Sequence, residues 1–186
     1  LARIDSRPDE TVAVLPLVLS TLGDVYARLG QLGDAGATLS RVVNVSSIAH
    51  GRGRIEFDDL SFDRRGFDPY ATCAASKLAN VLFTRELARR HHGDGLTAYS
   101  LHPGPVGTNI MGRGLVNRIL YRLVGAYMSA KRGARTSVHL ASADGIERTS
   151  GAYYDEFLKV KPGSKASQDM GLAARLWDVS TALVGA

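Results

Sequence analysis

The sequence contains a single cysteine, Cys73, among its 186 residues. One thiol cannot form an intramolecular disulfide or a site with several thiolate ligands, which excludes the disulfide scaffolds of small secreted proteins and thiolate zinc centres. We therefore expect a reducing compartment, the cytoplasm, and no metal site. The fold must depend on a packed apolar core, for which a chain of this length is sufficient.

A long uninterrupted apolar run is also lacking. The longest run, VAVLPLVLSTLG at 12–23, contains Pro16 and is too short to cross the hydrocarbon core of a bilayer. The charges before it are mixed and no small-residue cleavage site stands out, so a secretory signal is not indicated. We expect a soluble chain that does not depend on a membrane.

Aromatic residues make up only 7% of the chain, although its net charge is +5. Basic residues gather in the stretches HGRGR, FDRRG, ARRHHG and KRGAR, mostly beside acidic residues and without interleaved aromatics. Proteins that bind single-stranded nucleic acid combine positive charge with aromatic rings on which bases stack. The basic stretches therefore predict a solvated surface and no nucleic-acid partner.

Seven segments have the patterns of alternating strands and helices. In chain order they are a strand at 41–47 (RVVNVSS), a helix at 68–92, a strand at 96–104 (LTAYSLHPG), two helical pieces at 109–144, a strand at 150–160 (SGAYYDEFLKV) and an amphipathic helix at 168–184. The helix at 68–92 is expected to bury Leu78, Val81, Leu82 and Leu87. This order predicts an α/β fold with a thin, three-stranded parallel sheet.

Polar residues are concentrated where these predicted strands end. Ser46 and Ser47 end the first strand, Cys73 and Lys77 open the following helix, and HPGPVGT at 102–108 ends the second strand. Ligands of open α/β sheets bind at the carboxyl ends of the strands. The sequence therefore predicts a site at this edge.

Four motifs resemble those of the short-chain dehydrogenase/reductase superfamily, in its retinol dehydrogenase-like branch. They are VVNVSSIAH, SKLANVLFTRELARR, YSLHPGPVGT and ARLWDVS, and they occur in the family's order and spacing over 41–186. The resemblance implies a Rossmann-type, doubly wound parallel sheet with helices on both faces. It also implies hydride transfer between NAD or NADP and a small, lipophilic alcohol or carbonyl substrate.

The resemblance assigns roles to individual residues. The serine that orients the substrate oxygen corresponds to Ser47, and the lysine that holds the nicotinamide ribose corresponds to Lys77. The turn that lies against the nicotinamide corresponds to four residues: Pro103, Gly104, Val106 and Thr108. His50 also matches the branch; it could line the substrate mouth, but we expect it at the surface.

The family's catalytic tyrosine corresponds to Cys73, and here the sequence departs from the pattern. A proton donor must lie within hydrogen-bond reach of the substrate oxygen, and a thiol is much shorter than a phenol, so we expect impaired catalysis. We expect Cys73 to be a small buried residue rather than a redox centre or nucleophile. Tyr70 is an alternative proton donor, but Pro69 places it in the first helical turn, where its ring would point away from the site.

The family's glycine-rich phosphate turn has no counterpart before residue 41. Gly30, Gly33 and Gly36 follow a predicted helix rather than a strand, so they do not match that turn. We expect 1–40 to be a divergent helical segment joined to the C-terminal half of the fold at 41–186. It is either an amphipathic helix or a single tetratricopeptide-like repeat, and a fused or frame-shifted stretch is a third alternative. The resemblance thus implies a partial Rossmann-type domain whose N-terminal half is missing.

Two further expectations follow from a partial fold. The first strand would leave one edge unpaired, which favours self-association. The apolar stretch at 114–128 is expected to form a substrate lid, with contact to a membrane surface as the alternative. Two functions remain open: an oxidoreductase of the short-chain type, or a catalytically inactive remnant or interaction protein.

Overall fold

The computed structural model describes residues 40–106 and 129–184. Four expectations fall wholly or partly outside these residues: the helical segment before residue 40, the helical pieces over 109–128, the position of Thr108, and the lid at 114–128.

Within the described residues, four strands form one sheet in the order β1-β2-β3-β4. The strands are β1 (Ser40–Val45), β2 (Leu96–Leu101), β3 (Tyr153–Tyr154) and β4 (Val160–Lys161). β1 and β3 both run parallel to β2, whereas β4 is antiparallel to β3. The predicted α/β fold is confirmed, and its sheet is mostly rather than wholly parallel.

The prediction of one strand at 150–160 is wrong, because this segment folds back on itself as the β3–β4 hairpin. Asp155 Oδ1 accepts the N–H groups of Phe157 and Lys159, each at 2.9 Å, and Leu158 has a φ of 65°. An aspartate that accepts nearby backbone N–H groups stabilises a turn. The sheet therefore has four strands in the described part of the chain, and the last two are short.

Helix α1 (Pro69–Arg90) is the main helix of the fold and agrees closely with its prediction. Asp68 caps its N-terminus, where Oδ1 accepts the N–H groups of Tyr70 and Ala71, and Pro69 occupies the first turn. All four apolar residues expected on its buried face are fully buried: Leu78, Val81, Leu82 and Leu87. Leu87 packs with Leu96 and Ala98 of β2, so the side of α1 that carries Leu87 faces the sheet.

Over residues 40–106 and 129–184 there are three further α-helices: α2 (Ala130–Gly133), α3 (Arg135–Ser142) and α4 (Met170–Val184). Successive side chains of β2 point to opposite faces. Leu96 and Ala98 pack with Phe83 of α1 and Trp177 of α4 on one face. On the other face, β2 residues Tyr99 and Leu101 pack with Leu140 of α3. The predicted arrangement of helices on both faces is therefore confirmed.

Two features of the surface bear on partners. In the part of the chain that the structure describes, β1 pairs only with β2, and Val45 at its end is 44% exposed. Among the same residues, no helix combines the length and apolar character needed to cross a bilayer.

Candidate functional site

Ser46 and Ser47 follow β1 and have different roles. Ser46 is 2% exposed, and its Oγ donates to the carbonyl oxygen of Lys77 at 2.7 Å. Ser47 is half-buried, and its Oγ accepts the N–H of Ala49 at 3.2 Å, which caps the 3-10 helix Ile48–Arg52. Ser46 thus ties the strand to α1, whereas the hydroxyl of Ser47 can still donate its own hydrogen.

Lys77 lies beside the same strand end. Its Nζ donates to the carbonyl oxygen of Val45 at 3.2 Å, and Nδ2 of Asn80 donates to the same oxygen at 3.1 Å. Together with the Ser46 contact, these bonds fix the first half of α1 to the end of β1. The structure therefore brings Lys77 and Ser47 to one edge, as the sequence predicts.

Cys73 is exposed, so the expectation that it is buried is wrong. The residue lies on the face of α1 that carries Lys77 four residues later, because residues at this spacing are neighbours on a helix. The buried face begins with Thr72 and continues through Ala74 and Leu78, whereas Cys73 lies off it. Cysteine was expected in the core because of its apolar character, but its helical position decides its exposure.

Tyr70 lies in the first turn of α1, where the sequence places it. Its side chain is 56% exposed, and its hydroxyl accepts a hydrogen bond from Nη1 of Arg52 at 3.3 Å. The phenol therefore interacts with the 3-10 helix that follows Ser47.

The Pro103–Gly104 turn follows β2 at the same edge of the sheet. Gly104 has a φ of 75°, a conformation that residues with a side chain rarely adopt. The N–H of Val106 donates to the carbonyl oxygen of Gly104 at 3.0 Å, and Val106 packs so closely on Gly133 that a Cβ there would overlap it. Three of the four predicted turn residues are thus held in one compact loop next to α2.

Two buried histidines were missed as a pair by the sequence analysis. His50 is 5% exposed, which corrects the expectation of a surface position, and His102 is 8% exposed. Nδ1 of His50 donates to the carbonyl oxygen of Ser47 at 2.7 Å, and its Nε2 accepts the N–H of Ser164 at 3.2 Å. The sequence feature that could have identified the pair is their position, because each histidine follows shortly after a strand.

Charged and aromatic groups surround His102. Its Nε2 lies 3.3 Å from Oε2 of Glu156, and the ring of Tyr153 lies against both His102 and His50. Burial lowers the pKa of His102, against the opposing effects of Glu156 and Asp155. Burial also raises the pKa of the Tyr153 phenol, so that Tyr153 stays neutral.

The groups at this edge suit a polar organic ligand better than a metal. The Lys77 ammonium and the Ser47 hydroxyl are donors for ribose hydroxyls and carbonyl oxygens, and the Gly104 turn permits close approach of a flat ring. Over residues 40–106 and 129–184, no cluster of three or more His, Cys, Asp or Glu side chains is placed to bind a metal ion.

No protein family model matches the chain. The chain is 44% identical to retinol dehydrogenase 12 of Homo sapiens and 42% identical to retinol dehydrogenase 11 of Homo sapiens, over 147 residues in each case. Both matches cover 78% of this chain and 46% of the relative, so the chain spans about half the length of the curated relatives it matches.

A solved structure agrees with these matches. The crystal structure of an uncharacterised protein from Mycobacterium paratuberculosis is similar with a TM-score of 0.58 and 32% sequence identity, over 78% of this chain and 50% of that chain. The strand-end serines, the lysine on α1 and the glycine turn lie together in a mostly parallel α/β sheet. The matched part of this chain is therefore a relative of the retinol dehydrogenases, within the short-chain dehydrogenase/reductase superfamily.

Proposed function

We propose that this edge of the sheet is the nicotinamide and substrate end of an NAD(P)-dependent oxidoreductase site for lipophilic alcohols or carbonyls. The observation that carries the proposal is the double link between β1 and α1. Ser46 donates to the backbone of Lys77, while Lys77 Nζ donates to the backbone of Val45. These bonds hold Ser47 and Lys77 on neighbouring elements with fixed spacing, which catalysis by positioned groups requires.

Each residue has a role in this proposal. The hydroxyl of Ser47 donates to the substrate oxygen, and Lys77 binds the ribose hydroxyls of the nicotinamide nucleotide. The turn of Pro103, Gly104 and Val106 supports one face of the nicotinamide, and we place Thr108 beside its carboxamide group. When bound, the nucleotide supplies or accepts the hydride.

Cys73 occupies the position of the family's proton donor. We propose that this chain orients a carbonyl but transfers the proton poorly, because the exposed thiol is shorter than a phenol. Tyr70 does not replace the missing phenol in this proposal, since its hydroxyl interacts with Arg52. The same cysteine favours the second candidate function, a catalytically inactive protein that acts through interactions.

The organisation of the whole chain is part of the proposal. We propose that 1–40 is a segment separate from the dehydrogenase-like part at 41–186, in a cytoplasmic protein. We also propose self-association through the edge of β1, because that edge has no partner strand among the described residues. Sedimentation of the chain at micromolar concentration tests this: a monomer throughout would contradict it.

The catalytic proposal is tested with three forms of the chain: wild type, C73A and C73Y. NADH and NADPH are titrated by nicotinamide fluorescence, and reduction of retinal, a lipophilic carbonyl, is followed by absorbance. Wild type and C73A should turn over equally slowly. C73Y should be faster by about 100-fold or more, which is the range for a positioned general acid.

Each other outcome is informative. A loss of activity in C73A would show that the thiol donates the proton, contrary to the proposal. Saturable nucleotide binding without any gain in C73Y would favour the inactive, interaction-based function. Absence of nucleotide binding in all three forms would refute an NAD(P) site in this chain.

A further inference from the structure

Two histidines that the proposed hydride transfer does not use flank the ring of Tyr153. The ring centroids of His50 and Tyr153 lie 4.7 Å apart, and those of His102 and Tyr153 lie 5.7 Å apart. His102 immediately follows β2 and directly precedes the Pro103–Gly104 turn. The imidazole of His102 is therefore buried and lies next to the turn, where it can contact the turn directly.

Hydrogen bonds fix the tautomer of His102. The N–H of Gly104 donates to Nδ1 at 3.3 Å, so Nδ1 carries no hydrogen. A neutral imidazole then carries its hydrogen on Nε2, which lies 3.3 Å from Oε2 of Glu156 and donates to that carboxylate. Glu156 therefore selects the tautomer in which Nδ1 is free to accept.

We infer that His102 is a positioning residue, which holds the Pro103–Gly104 turn through Nδ1 while Glu156 holds its ring through Nε2. The benefit of this turn to nicotinamide binding depends on the proposed function. The hydrogen bond from the Gly104 N–H to Nδ1 of His102 does not depend on that function, because both partners belong to this chain.

The backbone supports the same role. The N–H of His102 donates to the carbonyl oxygen of Tyr154 at 3.0 Å, which fixes the residue to β3. Glu156 follows β3 in the hairpin, so both the backbone and the ring of His102 are anchored to one element. These contacts keep Gly104, with its left-handed backbone conformation, at a fixed position relative to the β3–β4 hairpin.

The contact requires a neutral imidazole, because protonation would place an N–H on Nδ1 against the N–H of Gly104. Burial lowers the pKa of His102, Glu156 and Asp155 raise it, and His50 and Lys161 lower it; the net shift is below the ordinary 6.5. The neutral ring of Tyr153 completes the surroundings. The ordered turn is therefore fully stable above about pH 6.5 and loses stability as the pH falls below that value.

Two substitutions separate the functions of the two ring nitrogens. Asparagine places its amide oxygen near the position of Nδ1, so H102N keeps an acceptor for Gly104 but loses the contact with Glu156. Glutamine reaches the position of Nε2, so H102Q keeps the contact with Glu156 but loses the acceptor. Both variants remove the imidazole from the core, so they share its packing cost.

The first readout is hydrogen exchange of the Gly104 amide by NMR at pH 7.5. We expect exchange to be about tenfold faster in H102Q than in H102N, because the loss of one hydrogen bond is worth about that factor. Wild-type protein should show the imidazole ¹⁵N signals of the Nε2–H tautomer, a check that needs no variant. Equal exchange in the two variants, or the Nδ1–H tautomer in wild type, would refute the inference.

The second readout is the dissociation constant of NADPH. We expect it to rise about tenfold in H102Q and to stay within about threefold of wild type in H102N. If wild type binds no NADPH but the Gly104 exchange follows the expected pattern, the proposed function fails and the positioning role stands. If NADPH binds but both variants weaken binding equally, the positioning role is wrong.

Discussion

Lys77 Nζ lies 3.2 Å from the carbonyl oxygen of Val45, the last residue of β1. The same oxygen accepts a second hydrogen bond from Nδ2 of Asn80 at 3.1 Å. The strand end therefore does not depend on Lys77 alone. This arrangement leaves the ammonium group available for a ligand at little structural cost.

The variant K77M should consequently separate binding from stability. We expect a change of less than about 0.5 kcal/mol in the free energy of unfolding, because Asn80 still satisfies the Val45 carbonyl and the site is partly solvated. The dissociation constant of NADPH should rise at least about tenfold, since a charge-assisted contact to ribose is lost. Urea unfolding and fluorescence titration measure the two effects.

The matched control is N80A, which leaves Lys77 in place. It should match K77M in stability but bind NADPH as wild type does. If K77M lowers stability markedly and leaves NADPH affinity unchanged, Lys77 has a purely structural role.

The backbone of the fold could be predicted from local patterns. The β-branched run at 41–47 predicts β1, and the spacing of Leu78, Val81, Leu82 and Leu87 predicts the buried face of α1. These patterns work because alternation and helical periodicity depend only on near neighbours. The hairpin at 153–161 was missed because the turn depends on one carboxylate, Asp155, within an otherwise strand-like sequence.

The site was predicted less completely, because its contacts join distant parts of the chain. The Nε2 atom of His50 accepts the N–H of Ser164, which lies 114 residues further along. The His102–Glu156 contact joins β2 to the hairpin in a similar way. Local patterns contain no information about such partners. Cys73 shows the converse: its chemistry indicates the core, whereas its place on α1 decides its exposure.

Glu86 provides a test of buried electrostatics away from the site. Its side chain is fully buried, and its carboxylate accepts hydrogen bonds from Arg89 at 2.6 and 2.8 Å and from Arg90 at 2.7 Å. Arg90 also contacts Asp178 of α4 at 3.1 Å and lies over the ring of Trp177. The network therefore joins the end of α1 to α4.

The variant E86Q should lower the free energy of unfolding at pH 7 by about 2 kcal/mol, since hydrogen bonds to a charged group are weakened. Hydrogen bonds from Arg89, against the opposing effect of burial, and further hydrogen bonds from Arg90 lower the pKa of Glu86 below its ordinary 4.5. A lowered carboxyl pKa stabilises the fold above about pH 4.5, and this contribution is lost as the pH falls through the folded value. The difference in the free energy of unfolding between wild type and E86Q should therefore become smaller at acidic pH.

Urea unfolding at pH 7 and pH 3.5 measures that gap. The control is E56Q, because Glu56 is half-exposed and lies 3.9 Å from Arg65. Exposed pairs of this kind contribute little, so E56Q should change stability by less than about 0.5 kcal/mol at either pH. A gap for E86Q that is the same at both pH values would show that its carboxylate charge does not stabilise the fold.

Gly53 tests the contact between the loop after Ser47 and α1. A Cβ on Gly53 would overlap the carbonyl oxygen of Ala74 and lie 2.8 Å from Cβ of Leu78, and neither backbone nor Cβ atoms can move aside cheaply. The φ of Gly53 is −66°, so any loss in G53A comes from crowding alone. We expect G53A to lower the free energy of unfolding by roughly 1–3 kcal/mol.

The matched control is the nearby G51A. No atom lies within 4 Å of the Cβ that it adds, so it should leave the free energy of unfolding within about 0.5 kcal/mol of wild type. Equal effects in thermal unfolding would contradict the close packing of this loop on α1.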